Sequence, residues 1–152
     1  MPTKPSTRLA GIDYGTVRIG IALADLQTGI AGPYETYTRR NEQLDAEYFQ
    51  ALADEERLCR FVVGLPVHLD GHESQKSHEA RQFGRWLGEQ TGLPVEYFDE
   101  RFTSSEAEAM LGEAQLTKKR RQARIDQLAA QIMLTAYLES GAQGQTSPSG
   151  IE

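Results

Sequence analysis

The length and composition of the chain exclude several classes of protein. Its 152 residues correspond to one domain and are enough to enclose a hydrophobic core. Hydrophobic residues make up 39% and charged residues 25%, which excludes a disordered or collagen-like chain. The net charge of −6 is unlike that of a uniformly basic nucleic-acid-binding protein, so a polyanionic partner must be held by locally clustered cations.

The N-terminus and the cysteine content indicate a reducing compartment. Residues 1–8 lack the apolar stretch of a signal peptide, and no run of about 18 apolar residues occurs in the sequence. Cys59 is the single cysteine, which leaves no intramolecular disulfide, and we expect it to be a small core residue. We therefore expect a cytoplasmic protein that does not bind a membrane.

The first third of the sequence predicts an antiparallel group of strands. Residues 9–13 and 17–25 have strand-like patterns and are joined by a turn. In 17–25 bulky residues alternate with mostly small ones, so one face of this strand can admit a closely packed helix. A third strand is predicted at 30–37, where Pro33 favours the edge of the sheet.

The rest of the sequence predicts helices that alternate with strands. Helices are predicted at 41–56, 77–90, 103–111 and 125–140, and strands at 59–64 and 95–99. This order predicts an α/β fold, with a mixed five-stranded sheet flanked by helices. In that sheet an antiparallel three-strand meander is extended by two parallel strands. The predicted divisions are a flexible N-terminus at 1–7, one domain at 8–140 and a disordered tail at 141–152.

Acidic residues follow two of the predicted strands and enter the last predicted helix. Asp13 ends the first strand, and Asp99 and Glu100 end the last one. Asp126 lies in the first turn of the helix predicted at 125–140. Ligands of open α/β sheets gather beyond the carboxyl ends of parallel strands, and carboxylates hold the hard cations that cleave phosphodiesters. The structural alternatives are a turn residue, a salt-bridged loop and a helix N-terminal charge, respectively.

Four stretches of the sequence, in chain order, carry a family resemblance. They are GIDYGTVRIGIA at 11–22, VVGLP at 62–66, DERFT at 99–103 and IDQLAA at 125–130. They resemble the signature motifs of the YqgF/RuvX family of pre-16S rRNA nucleases and Holliday junction resolvases. The resemblance implies a ribonuclease H-like fold, dependence on Mg²⁺ or Mn²⁺, and catalytic, metal-binding roles for Asp13, Glu100 and Asp126. It leaves open whether Asp99 assists Glu100.

Basic residues near these acids are candidate nucleic-acid ligands. Arg18 and Arg101 are close in sequence to proposed metal ligands, and they either neutralise phosphate charge or pair with those acids. A run of cations precedes Asp126 on a predicted loop, where it either grips phosphates or is simply solvated. The run consists of Lys118, Lys119, Arg120, Arg121 and Arg124.

Several substrates and roles are compatible with these residues. The resemblance implies processing of the 5′ end of precursor 16S rRNA, with a pre-ribosomal particle as a further partner. The alternatives are Holliday junction resolution, a non-catalytic RNA-binding assembly factor, and an actin-like ATPase or sugar kinase. A resolvase of a two-fold symmetric junction would be a dimer, whereas no dimer stripe is visible and a monomer is favoured.

Aromatic and histidine residues give weaker indications. Trp86 is expected to pack the second helix, although an exposed indole could stack on a base. His68, His72 and His78 lack the accompanying ligands of a zinc site, and we expect them at the surface.

Overall fold

Six strands and three helices form the part of the chain that the structure describes. The computed structural model describes residues 5–66, 74–100, 118–142 and 145–146. The strands are β1 (Arg8–Asp13), β2 (Arg18–Asp25), β3 (Ile30–Thr38), β4 (Leu58–Leu65), β5 (Val95–Asp99) and β6 (Gln145–Thr146). The helices are α1 (Glu42–Glu55), α2 (Gln75–Thr91) and α3 (Lys118–Glu139).

The strands form one mixed sheet in the order β3-β2-β1-β4-β5-β6. Strands β1, β2 and β3 are an antiparallel meander, and β4 and β5 extend it in parallel with β1. This arrangement confirms the predicted fold class, with β3 at the edge as Pro33 indicated. The two residues of β6 pair antiparallel with β5 and add a strand that the sequence did not predict.

Helices cover both faces of the sheet and divide the core in two. On one face Ala10 and Ile12 of β1 belong to the cluster that includes Phe49 of α1 and Leu87 of α2. On the other face Leu9 belongs to the cluster that α3 completes. Because successive strand residues point to opposite faces, odd-numbered residues of β1 face α3 and even-numbered ones face α1 and α2.

The ends of the first two helices follow their local sequence. The Asn41 side chain accepts a hydrogen bond from the Leu44 N–H at 2.9 Å, which caps α1 as predicted. Ser74 caps α2 in the same way, and the helix begins at Gln75, two residues before the predicted start. Gly92 ends α2 with a φ of 73°, a backbone angle that glycine adopts without a steric penalty.

The start of the last helix corrects the sequence-based prediction. The helix was predicted from residue 125, whereas α3 already includes Lys118. Lysine, arginine, glutamine and alanine are strong helix formers, so the basic run extends the helix instead of forming a loop. Asp126 therefore lies in the third turn of α3, and the explanation of this acid as a helix N-terminal charge no longer holds.

Several sequence-based predictions fall outside the described residues. They concern the helix at 103–111, the two histidines at 68 and 72, and Arg101. Among the described helices, none combines the length and the apolar character needed to cross a membrane.

Candidate active site

Asp13 occupies the carboxyl end of the central strand β1, on the face covered by α3. It pairs with Gly20 of the neighbouring strand β2. On the other side of β1, Ile12 is in register with Val63, so Gly64 lies beside Asp13. Asp13 is thus flanked on both sides by residues without side chains, which leaves room for groups from other elements.

Asp126 reaches the site because α3 packs unusually closely on β2. A β-carbon on residue 20 would lie 2.1 Å from the Asp126 carbonyl oxygen and 3.1 Å from the Asp126 Cβ. No real β-carbon is found so close to backbone, so this packing requires glycine. The small face predicted for β2 is confirmed, since Ala22 and Ala24 continue it beneath α3.

Glu100 approaches Asp13 from the opposite side. It directly follows β5, and its side chain lies against Gly64, where an added β-carbon would be 3.0 Å from the Glu100 Cδ. Met133 of α3 lies at 3.2 Å from the same position, so Glu100 sits between the sheet and α3. The two glycine contacts therefore bring three carboxylates from β1, α3 and the end of β5 to one corner of the sheet.

The charges of the other two acids act on Asp13. The pKa of Asp13 is raised to about 8, first by burial and then by the negative charges of Glu100 and Asp126, while Lys76 opposes them. Burial also raises the pKa of Glu100, with an additional contribution from Asp99. Raised pKa values that arise from burial and, second, from neighbouring carboxylates are typical of functional sites.

Asp126 has two partners that hold both of its carboxylate oxygens. Arg18 Nε donates to Oδ2 at 3.1 Å, and Gln122 Nε2 donates to Oδ1 at 3.1 Å. Within the described ranges, no three acidic, histidine or cysteine side chains are already arranged as a metal-binding group. The acids thus share a corner of the sheet, with Asp126 engaged by Arg18 and Gln122.

The comparison with known proteins identifies the family. A family model described as "RuvX: Holliday junction resolvase" matches residues 7–140. The chain belongs to the RuvX family. A protein of Rhodopirellula baltica named "Putative pre-16S rRNA nuclease" is 48% identical over 137 residues, covering 90% of this chain and 79% of the relative. A protein of the same name from Neisseria gonorrhoeae is 40% identical over 137 residues, covering 90% of this chain and 91% of the relative.

Solved structures of low sequence identity share the fold of this chain. The structure of Thermus thermophilus RuvC in complex with a Holliday junction substrate has a TM-score of 0.56 at 16% identity, covering 92% of this chain and 99% of that chain. A yeast mitochondrial Holliday junction resolvase has a TM-score of 0.55 at 10% identity, covering 93% of this chain and 81% of that chain. At these identities the likeness concerns the fold, which is ribonuclease H-like.

The basic residues predicted to bind nucleic acid in this RuvX family member lie in different environments. Arg18 forms the ion pair with Asp126, the alternative that its sequence position had left open. Arg120, Arg121 and Arg124 are exposed on α3. With about 100° per residue, Arg121 and Arg124 lie roughly 140° and 160° around the helix from Asp126, so they face away from it. The side chains of Lys118 and Lys119, and all of Arg101, are outside the described part.

Lys76 is a cation near the acids that the sequence-based prediction missed. It is an exposed residue in the first turn of α2, and its charge lowers the pKa values of both Asp13 and Glu100. The only sequence signal was its place at the start of a helix that follows the central strand β4. Since the acids come from the ends of β1 and β5, a helix that begins at the same sheet edge brings its first turn near them.

Proposed function

We propose that the protein is a divalent-cation-dependent nuclease that hydrolyses phosphodiester bonds at Asp13, Glu100 and Asp126. The observation that carries the proposal is the pair of glycine contacts that bring Asp126 and Glu100 to either side of Asp13. Carboxylates from three separate elements, gathered at the carboxyl ends of parallel strands, suit a cation-assisted phosphodiesterase.

The donor set fits a hard divalent cation. Asp13 and Glu100 are partly buried carboxylates with raised pKa values, and a bound cation would favour their charged forms. Oxygen ligands of this kind suit Mg²⁺ or Mn²⁺. When bound, such an ion would polarise the scissile phosphate and lower the pKa of the attacking water.

The protein's own side chains would hold and position the reacting groups. Asp13 and Glu100 would be the primary cation ligands. Asp126 would become a further ligand by giving up its ion pair with Arg18. The Arg18 guanidinium would then be free to bind a phosphate oxygen. The charge of Lys76 would add to the attraction for the phosphate. Arg120, Arg121 and Arg124 would contact the nucleic-acid backbone farther along the strand, together with Lys118, Lys119 and Arg101.

The proposed substrate is precursor 16S rRNA, cut at its 5′ end in the cytoplasm. The support is the name shared by the relatives from Rhodopirellula baltica and Neisseria gonorrhoeae, which align with about nine-tenths of this chain. Holliday junction DNA is the second candidate, supported by the description of the family model. We propose a monomer that acts on structured RNA, alone or on a pre-ribosomal particle.

Cleavage assays with defined substrates test the proposal. The full chain is incubated with Mg²⁺ or Mn²⁺ and with a pre-16S leader fragment, a single-stranded RNA or a four-way DNA junction. We expect cation-dependent cleavage of the leader fragment by wild type and none by Asp13→Asn. Asp54→Asn, which changes an exposed acid of α1, is the matched control and retains activity.

Other outcomes would replace the proposal. Equal cleavage by wild type and Asp13→Asn would show that the acids do not form the active site. Cleavage of the DNA junction alone would favour the resolvase alternative. Binding of the leader fragment without cleavage under any cation would favour a non-catalytic assembly factor.

A further inference from the structure

A cavity of about 520 Å³ lies on the face of the sheet opposite the acids. Its volume is in the range of pockets that bind small organic groups. Its walls come from the turn after β1, from the segment between β3 and α1, and from one side of α2. The residues that line it include Tyr14, Arg39, Asn41, Glu79, Gln82 and Trp86.

The cavity opens at the same end of the sheet as the acids. Tyr14 directly follows Asp13, and its ring packs on Phe83 of α2 with the centroids 5.0 Å apart. Since consecutive residues of an extended chain point to opposite faces, Asp13 faces α3 while Tyr14 faces the cavity. A strand that crosses this end of the sheet with a phosphate at Asp13 therefore has the cavity within reach of a neighbouring nucleotide.

The Arg39 guanidinium is held in place as a planar wall of this cavity. It lies 5.4 Å from the Tyr14 ring centroid and 5.5 Å from that of Phe83. Its Nη1 donates to the Tyr14 hydroxyl at 2.9 Å, and its Nε donates to the Asp45 carboxylate at 3.4 Å. The guanidinium is thus oriented before any ligand arrives, which reduces the entropic cost of binding.

Asp45 is the buried group that keeps this wall in position. Its side chain is 3% exposed and also accepts bonds from the Tyr37 hydroxyl at 2.6 Å and the Arg40 N–H at 3.0 Å. Burial acts to raise the Asp45 pKa, but these donors outweigh it and lower the pKa below its ordinary value. Asp45 is therefore charged at neutral pH, and its carboxylate oxygens are occupied by hydrogen bonds within the protein.

Trp86 supplies a flat ring to the wall of the cavity. Its Nε1 has no hydrogen-bond partner among the described residues, but this atom is buried and is not reached from the cavity. The face of the ring is therefore the part of Trp86 that a ligand in the cavity would contact. The indole ring is in contact with Phe83, which leaves it as a further flat surface at the cavity wall.

The charge of the lining distinguishes between ligand classes. Two arginines are accompanied by three carboxylates, those of Glu42, Asp45 and Glu79, so the cavity is not a phosphate site. The amides of Asn41 and Gln82 add both donors and acceptors. Flat guanidinium and indole surfaces with mixed donors and acceptors suit a neutral heteroaromatic ring.

We propose that this cavity binds one unpaired nucleobase of the substrate strand, next to the bond cleaved at the acidic site. The inference rests on the proposed function, because the strand is the one whose phosphate lies at Asp13. The base stacks on the Arg39 guanidinium and the Trp86 ring, and its edge bonds to the Asn41 and Gln82 amides. Unpaired bases in RNA are commonly bound in this way, by stacking on aromatic rings or arginine planes and by bonds to their edges.

The fluorescence of Trp86 measures the binding directly, because it is the single tryptophan of the chain. The full chain is titrated without divalent cations against single-stranded RNA, a blunt duplex of the same sequence, and nucleoside monophosphates. We expect quenching by the single strand at concentrations where the duplex and the free nucleotides have no effect. Equal quenching by the duplex, or no quenching by the single strand, would overturn the proposal, and free nucleotides that bind as tightly would assign the cavity to them instead.

A scan with abasic nucleotides identifies the bound base. One abasic site, moved along the single strand, should weaken wild-type binding roughly 10-fold at one position only. At that position, with binding measured by the fluorescence anisotropy of a dye on the strand, Trp86→Ala and Gln82→Ala should bind the intact and abasic strands almost equally. Gln90→Ala, on the same helix but outside the cavity, should keep the full difference. If the abasic site and the substitution each weaken binding independently, so that the two losses of binding free energy simply add in both variants, the base does not contact these residues.

The two proposals can fail separately. Quenching and an abasic effect without cleavage under any cation would refute the nuclease and leave the base site standing. Cleavage of RNA with no abasic effect at any position would refute the base site and leave the nuclease standing.

Discussion

The Asp126 carbonyl oxygen lies 2.1 Å from the point where a β-carbon on residue 20 would be, so Gly20 and Asp126 are in backbone contact. This contact determines how close α3, which carries the proposed active-site acid Asp126, comes to the strand beside Asp13. Any side chain at residue 20 would have to push α3 away from the sheet.

Gly20→Ala should therefore affect stability and activity together. Moving α3 costs about 3 kcal/mol of unfolding free energy, because the clash is with backbone that cannot rotate aside. Urea denaturation measures this loss, and RNA cleavage should fall with it as Asp126 moves. Gly32→Ala is the control, since nothing lies within 4 Å of its added β-carbon. Equal stability of the two variants would show that α3 is not in tight contact with β2.

Asp13→Asn should stabilise the cation-free protein at high pH. The pKa of Asp13 rises from 3.8 to about 8 on folding, so the folded state retains a proton that the unfolded state has lost. The unfolding free energy of wild type should then fall as pH rises from about 4 to 8. At pH 8 the variant should be more stable by at least about 1.4 kcal/mol, the equivalent of one pKa unit. If the unfolding free energies of wild type and variant change in parallel with pH, the pKa of Asp13 is not raised.

Mg²⁺ should raise the melting temperature of wild type at pH 8. The ion binds the folded state alone, and at 100 times its Kd this corresponds to an increase of about 5–10 °C for a chain of this size. Asp13→Asn should show little of this increase, whereas Asp54→Asn should show all of it. Differential scanning calorimetry with and without the ion makes the comparison, and an equal increase in Asp13→Asn would place the ion elsewhere.

Lys76→Gln should reduce cleavage and raise the pKa of Asp13. The lysine charge lowers this pKa in the wild type, so its loss removes a positive charge that opposes the negative charges around Asp13. We expect a decrease in kcat/KM of about 10-fold, consistent with one exposed cation near the reacting phosphate. A carboxyl NMR titration follows the pKa. Arg85→Gln removes an exposed cation from the same helix at a greater distance, and a decrease as large in that variant would refute a specific role for Lys76.

Asp45→Asn should destabilise the protein by about 3 kcal/mol, because Arg39 would lose its buried charged partner. Chemical denaturation measures the loss against Asp54→Asn, an exposed acid of the same helix. Because the Asp45 pKa is lowered, its contribution is complete above pH 4 and should disappear as acid protonates the carboxylate. A variant as stable as the control would show that Arg39 does not depend on Asp45.

The sequence predicts the fold and the place of Asp13 at the end of β1, because both depend on local patterns. Alternation in β2 between bulky and small residues indicated a face for a close helix, and α3 occupies that face. Asp13 at the end of a buried strand could be placed without knowledge of its neighbours. The family resemblance, in turn, selected Glu100 from two adjacent acids.

The features that the sequence did not predict depend on long-range contacts. The start of α3 was misplaced because a run of like charges indicates a loop as readily as a helix surface. The approach of Lys76 to the acids requires knowing that α2 begins at the edge where β1 and β5 end. The cavity combines residues from three separate segments, so no single stretch of sequence shows it.

The neighbours Asp13 and Tyr14 have opposite surroundings, the acidic corner on one side and the aromatic cavity on the other. One residue inserted into or deleted from β1 would exchange the two, placing a carboxylate among aromatic rings and a phenol among carboxylates. Substitutions along β1 can be absorbed by repacking, but a change in its length cannot. The spacing between the start of β1 and its final turn is therefore under a stricter constraint than the choice of most of its residues.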